Sequence, residues 1–154
     1  VNEIALGSSV GTAFINEGVS DLTHSISTSS LSDKNVDVQE VAVETVDHYV
    51  DREKINEIGL LKIDTEGHEI EVLKGADKAI KSGRIKAIFA ECDFDPEDTQ
   101  HTYFNDLWNY LRTRNFSFFG LYDVIHYERN QDIGYCNALF IKKASPEDRS
   151  VKTP

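Results

Sequence analysis

The sequence predicts an α/β fold on a mostly parallel sheet, closed by an antiparallel hairpin at the carboxyl end. Three observations carry this. Ile58–Asp64 and Ile85–Glu91 are near-continuous apolar runs, the pattern of strands covered on both faces. Helical patterns follow each run, and such alternation implies parallel strands joined by right-handed crossovers. Two last strand-like runs, Phe116–Val124 and Tyr135–Lys142, are joined by the polar loop Glu128–Gly134, which reads as a hairpin.

Taken in order, Asn2–Leu6 reads as a strand, Gly7–Gly11 as a hairpin turn and Thr12–Asn16 as a short strand. The glycines make no phosphate loop: the spacing is wrong, no Lys follows and a strand comes next. Ser20–Asn35 is rich in serine, which competes for backbone hydrogen bonds, so a long polar loop is expected. Val36, Val38, Val41, Val43 and Val46 give a β-branched strand whose alternation slips near Gln39-Glu40, suggesting a bulge. Asp47 caps a short helix ending near Glu53. After the Ile58–Asp64 strand, Thr65 reads as a helix cap, with Glu66, Glu69 and Glu71 in the first turns where the dipole favours acids. Gly75 ends or kinks that helix, Ala76–Lys81 continues it and Gly83 closes it. Asp95-Pro96-Glu97-Asp98 has the form of a helix start. Phe104, Leu107, Trp108 and Leu111 mark an amphipathic helix at i, i+3, i+4, i+7. Residues 1–143 form one domain, and residues 144–154 read as a disordered tail.

The 154 residues suffice for one domain with its own core. The net charge of −11 argues against nucleic acid, whose phosphates such a surface repels. No apolar run approaches the ~20 residues that span a bilayer, and no signal segment opens the chain. Two cysteines, Cys92 and Cys136, fall short of a zinc motif, and reduced cytoplasmic thiols are the expectation. They become neighbours if the last strand lies antiparallel beside Ile85–Glu91. His24, His48, His101 and His126 are scattered without ligand spacing, so no metal is expected. The chain has no Met, even at position 1, which is read as the mark of a piece of a longer polypeptide; a removed initiator is the alternative.

In open α/β sheets, ligands bind outside the carboxyl ends of the strands. Two acidic clusters fall there: Lys62-Ile63-Asp64-Thr65-Glu66-Gly67-His68-Glu69, and Glu91-Cys92-Asp93. Asp64 ends a buried strand, where capping is unnatural. His68 is the candidate general base, because imidazole titrates near neutrality. Glu69 and Glu71 serve equally well as complements of the helix dipole. A hydrolase using Asp64 or Glu66 with Glu91 stays open, since it depends on their separation.

The block Leu61-Lys62-Ile63-Asp64-Thr65-Glu66-Gly67-His68-Glu69-Ile70-Glu71-Val72-Leu73-Lys74-Gly75-Ala76 resembles the distinctive motif of the FkbM family of S-adenosylmethionine-dependent methyltransferases. Ala5-Leu6-Gly7, Gly11-Thr12-Ala13-Phe14 and Thr45-Val46-Asp47 resemble further family elements, with Val for Leu in the last. The resemblance covers roughly residues 1–142. It implies a Rossmann-like class I methyltransferase fold, here partial, because the glycine-rich cofactor turn and the ribose-binding acid have no counterpart. It implies methyl transfer from S-adenosylmethionine to a hydroxyl of a small molecule or sugar. Asp64, Glu66 and His68 would be catalytic, Asp64 and Thr65 would face the cofactor, and Glu91 and Asp93 would meet the substrate. Cofactor binding by this chain alone is expected to be weak or absent.

In the family's sheet order the missing strands would leave Ile58–Asp64 at an apolar edge. Either a second copy pairs with that edge, giving a homo-oligomer, or Asn2–Leu6 or Val36–Val46 covers it. A non-catalytic assembly module is the competing reading.

Overall fold

The computed structural model describes residues 2–17, 24–27, 38–127 and 132–144. The elements are β1 (Ala5–Leu6), β2 (Gly11–Glu17), β3 (His24–Ser27), β4 (Val38–Glu44), α1 (Val46–Arg52), β5 (Ile58–Ile63), α2 (Glu69–Gly75), α3 (Asp77–Lys81), β6 (Ile85–Asp93), α4 (Phe104–Arg112), β7 (Phe116–His126) and β8 (Ile133–Lys142). They form two four-stranded sheets, ordered β1-β4-β2-β3 and β5-β6-β8-β7. No helix among the described residues is long and apolar enough to cross a membrane.

The α/β character holds, but the sheets are mixed, not mostly parallel. Each contains one parallel ladder, β1 with β4 and β5 with β6; the remaining ladders are antiparallel. The second sheet is mixed because β8 inserts between β6 and β7, running against both. The terminal hairpin is therefore present, and it supplies the central strand of the sheet's outer half.

In the first sheet, β4 lies between β1 and β2: Val43 pairs with Ala5 on one side and Gly11 on the other. Gly7–Gly11 is thus a connection passing a strand, not a hairpin turn. No bulge occurs near Gln39-Glu40. The β2–β4 register runs one-to-one from Gly11↔Val43 to Asn16↔Val38, and Val46 belongs to α1. The serine-rich segment is interrupted by β3, which pairs with the open edge of β2; the rest of it, like residues 145–154 of the expected tail, lies outside the described residues. β4 has both edges occupied and β1 pairs only with β4, so neither covers β5, which ends its sheet with Leu60 55% exposed.

The core lies between the helices and one face of the second sheet. Ile88, Ala90 and Cys92 of β6 and Cys136, Ala138 and Phe140 of β8 are fully buried there with Leu73, Ile80, Leu107 and Leu111. The amphipathic α4 presents Leu107 and Leu111 inward, each burial contributing about 1.5–3 kcal/mol. The expected neighbours Cys92 and Cys136 are register partners with sulfurs 3.8 Å apart, both unoxidised. On the opposite face Tyr122 and Ile141 remain exposed, and Phe89 meets Tyr122 edge-on.

Several caps differ from expectation. Thr45, not Asp47, caps α1, its Oγ1 accepting from the His48 amide at 3.0 Å. The Asp47 carboxylate reaches instead to α3, accepting from the Lys78 and Ala79 amides at 2.9 and 2.8 Å. Gly75 ends α2 as expected, and its bare Cα lets the helix touch β1's end: a Cβ there would lie 2.0 Å from the Gly7 carbonyl oxygen. The helix expected at Asp95 starts only at Phe104. Asp95 accepts from the Glu97 amide, and Asp98 accepts from the Gln100 and His101 amides, so each aspartate closes a local turn that no helix continues.

Candidate functional site

The parallel pairing of β5 and β6 brings their carboxyl ends together. The loop after β5 turns sharply, with Glu66 and Gly67 both left-handed at φ 50° and 89°. Glycine fits there twice over, since a Cβ at Gly67 would also stand 3.1 Å from the Gln100 carbonyl oxygen. The loop after β6 folds back on its own strand: the Asp93 amide donates to the Thr102 carbonyl at 3.1 Å, and Asp93 bridges to Tyr103. His101 is laid flat on Tyr135 of β8, with ring centroids 4.9 Å apart.

Glu69 holds these loops together. It is fully buried, and its Oε1 accepts from the Thr65 amide at 2.8 Å and the Thr65 hydroxyl at 3.0 Å. Its Oε2 accepts from the Thr102 hydroxyl. Thr65 is therefore not the cap expected of it. Glu66 and Gly67 leave the helical region, α2 begins at Glu69 behind His68, and Glu69 reaches back to Thr65.

Around this anchor stands an acidic cluster with one imidazole. Donor atoms of Glu66, Glu91 and His101 all lie within 4.8 Å of one another, as do those of Asp93, Asp98 and His101. Burial first, and the nearby Asp64 next, push the Glu91 carboxyl above the usual carboxylate range. Burial and Asp98 push Asp93 the same way, the Asp95 amide only partly offsetting them, and both Asp93 oxygens are buried without a well-aligned hydrogen-bond partner. At Asp98 burial opposes the charge, but the His101 and Gln100 amides outweigh it and hold the carboxyl below that range.

The expected site residues are divided by the fold. Glu66 and Glu91 meet. Asp64 stands at the exposed rim, paired with Lys62. Asp93 lies beneath the loop, fully buried. Thr65 has its donors engaged with Glu69. His68 lines a separate cleft of about 310 Å³ with Gly7, Ser8, Gly11, Val43 and Glu71. Glu71 is held low there by hydrogen bonds from Lys74 and then Ser8. His101 was missed by ligand spacing; its only signal in sequence is the Asp98-x-x-His101 interval in a loop that follows a strand end.

A model of the FkbM methyltransferase domain matches residues 2–118. The chain belongs to the FkbM methyltransferase family. No curated protein and no solved structure matches it. The stretch matched to the FkbM domain contains β5, α2, β6 and the loop bearing His101, so the whole cluster lies within it. Membership points to methyltransferase activity. It also weighs against the paired-carboxylate hydrolase, although Glu66 and Glu91 approach within 4.8 Å, near the ~5 Å of retaining pairs.

The described part of this FkbM domain fits a methyl donor unevenly. No glycine-rich strand–turn–helix occurs among the described residues, because Gly7 and Gly11 bound a connection into β2. A cradle for an adenosine is not among them. The acidic rim of Asp64, Glu66 and Glu91 does suit a sulfonium cation.

Proposed function

We propose that this domain serves transfer of a methyl group from S-adenosylmethionine to a hydroxyl oxygen of a small molecule or sugar. When bound, the donor supplies a methyl group activated on sulfonium. Asp64 is assigned to the donor's positive end, with Thr65 beside it. Glu66 and Asp64 position the acceptor hydroxyl, and Glu91 takes up its proton. His68 is left outside the proton transfer, because its ring lines the other cleft.

The observation that carries this reading is Glu91 itself. It stands near a parallel strand end beside Glu66, with its carboxyl held above the usual carboxylate range by burial and by Asp64. Transfer of labelled methyl to a panel of hydroxylated small molecules and sugars tests it. We expect the protein to label a hydroxyl oxygen, and Glu91→Gln to lower kcat about 100-fold with acceptor KM little changed. Full activity in Glu91→Gln, or labelling confined to acceptors without hydroxyls, would overturn it.

A second reading is favoured by the open β5 edge and its exposed Leu60: an assembly module pairing with a second copy. Light scattering of the protein across concentrations decides it, with a monomer throughout excluding the module.

A further inference from the structure

We infer that Asp93, Asp98 and His101 form a binding site for one divalent cation of the Mn²⁺ type, taken by two carboxylates and one imidazole. Asp93 selects this site. Its side chain is 0% exposed, no side chain hydrogen-bonds either carboxylate oxygen, and the Asp95 amide approaches without forming a well-aligned bond. Buried carboxylates are ordinarily hydrogen-bonded, ion-paired or bound to metal. Among the described residues, no Lys or Arg forms an ion pair with Asp93, Asp98, Glu91 or Glu66. Four acids thus gather around one imidazole without a fixed cation.

The rest of the set has the order a ligand shell needs. One donor atom from each of Asp93, Asp98 and His101 lies within 4.8 Å of the others, so all three can contact one ion. Asp98 is held by the Gln100 and His101 amides at 2.6 and 2.9 Å through Oδ1, leaving Oδ2 turned toward the ring, 3.5 Å from Nδ1. The Tyr135 ring fixes the imidazole plane. Such outer contacts orient ligands ahead of the metal. Two carboxylates with an imidazole suit Mn²⁺ and neighbouring divalent ions better than an all-oxygen Ca²⁺ cage. Three protein ligands leave open positions for water or a substrate oxygen. Glu66 and Glu91 form a second such set with the same His101. The site stands whether or not the chemistry is methyl transfer.

The test is titration of the metal-stripped protein with Mn²⁺, read by electron paramagnetic resonance of the free ion and by thermal melting. One Mn²⁺ per chain is expected, with a rise in Tm on binding. Asp93→Asn is expected to weaken binding at least tenfold and to remove the Tm response, while the control Asp106→Asn, on the exposed side of α4, keeps both. Should Asp93→Asn fail to fold, His101→Gln takes its place with the same expectation. Absence of saturable Mn²⁺ binding at millimolar concentration overturns the inference, as does a folded Asp93→Asn or His101→Gln protein that binds as tightly as the parent.

Discussion

Replacing Glu69 separates hydrogen-bond anchoring from mere burial of an acid. Glu69→Ala removes the acceptor for three donors: the Thr65 amide, the Thr65 hydroxyl and the Thr102 hydroxyl. The hydroxyls can turn elsewhere, but the Thr65 amide cannot, and orphaning this half-buried donor costs about 1–2 kcal/mol. Thr102 is itself 7% exposed, so water compensates poorly there. Lost packing adds to this, and release of a desolvated carboxylate subtracts, leaving a net loss of about 2–4 kcal/mol. For a chain of this size that lowers Tm by roughly 5–15 °C. Glu69→Gln retains the Oε1 acceptor for both Thr65 bonds and offers an amide to the Thr102 oxygen. It should cost about 1 kcal/mol or less. Urea unfolding of both variants, followed by circular dichroism, measures the difference. If the alanine variant fell within about 1 kcal/mol of the parent, the anchor would not exist. If the glutamine variant fell as far as alanine, charge and not bonding geometry would be what Glu69 supplies.

Gly75→Ala drives a Cβ to 2.0 Å from the Gly7 backbone oxygen, where no side chain can yield, so a loss of about 3 kcal/mol or more in urea unfolding is expected. Glu91 binds its proton more tightly folded than unfolded, so its effect on stability is unfavourable above the raised folded pKa and vanishes below the unfolded one. Glu91→Gln should therefore raise Tm at pH 8 and leave it unchanged below roughly pH 4, and a lower Tm at pH 8 would reverse that sign. Cys92 and Cys136 are both fully buried, and their mutual hydrogen bond with burial pushes the Cys92 thiol up. A thiol reagent should read neither cysteine in native protein and both in denaturant.

The parts legible in sequence are those where one local pattern decides the outcome. The apolar runs at Ile58 and Ile85 gave their strands, and the spacing of Phe104, Leu107, Trp108 and Leu111 gave α4. Gly75 and Gly83 marked helix ends, the latter left-handed at φ 77°. What stayed hidden depends on partners remote in the chain. Asp47 looks like a local cap, yet its partners are amides more than thirty residues away. The run from Asp95 to Asp98 has helix-start composition, but each aspartate bonds the amides just ahead of it and holds a loop. Strand order was likewise unreadable, since nothing in Ala5-Leu6 announces that β4 will stand between it and β2. The site followed the same division. Glu66 in the loop just after β5 and Glu91 near the end of β6 are readable because they follow apolar strand runs, whereas only the fold-back of its loop brings His101 to them.

That fold-back also assigns a part to the cysteine pair. Asp93 sits opposite Tyr135, and the Tyr135 ring is the shelf for His101. Side chains alternate along a strand, so a slip of one residue between β6 and β8 would carry Tyr135 to the helix side and break the shelf. What opposes the slip lies one residue away on the buried face. There Ala90 pairs with Ala138 and Cys92 with Cys136, small side chains meeting in a fully packed layer. Shifting by one residue would force Tyr135 and Asn137 into the space those small groups occupy, a change the close-packed interior does not accommodate. The thiols therefore help fix the position of His101 without touching it. This accounts for a buried, reduced cysteine pair beside a site whose acids it never meets.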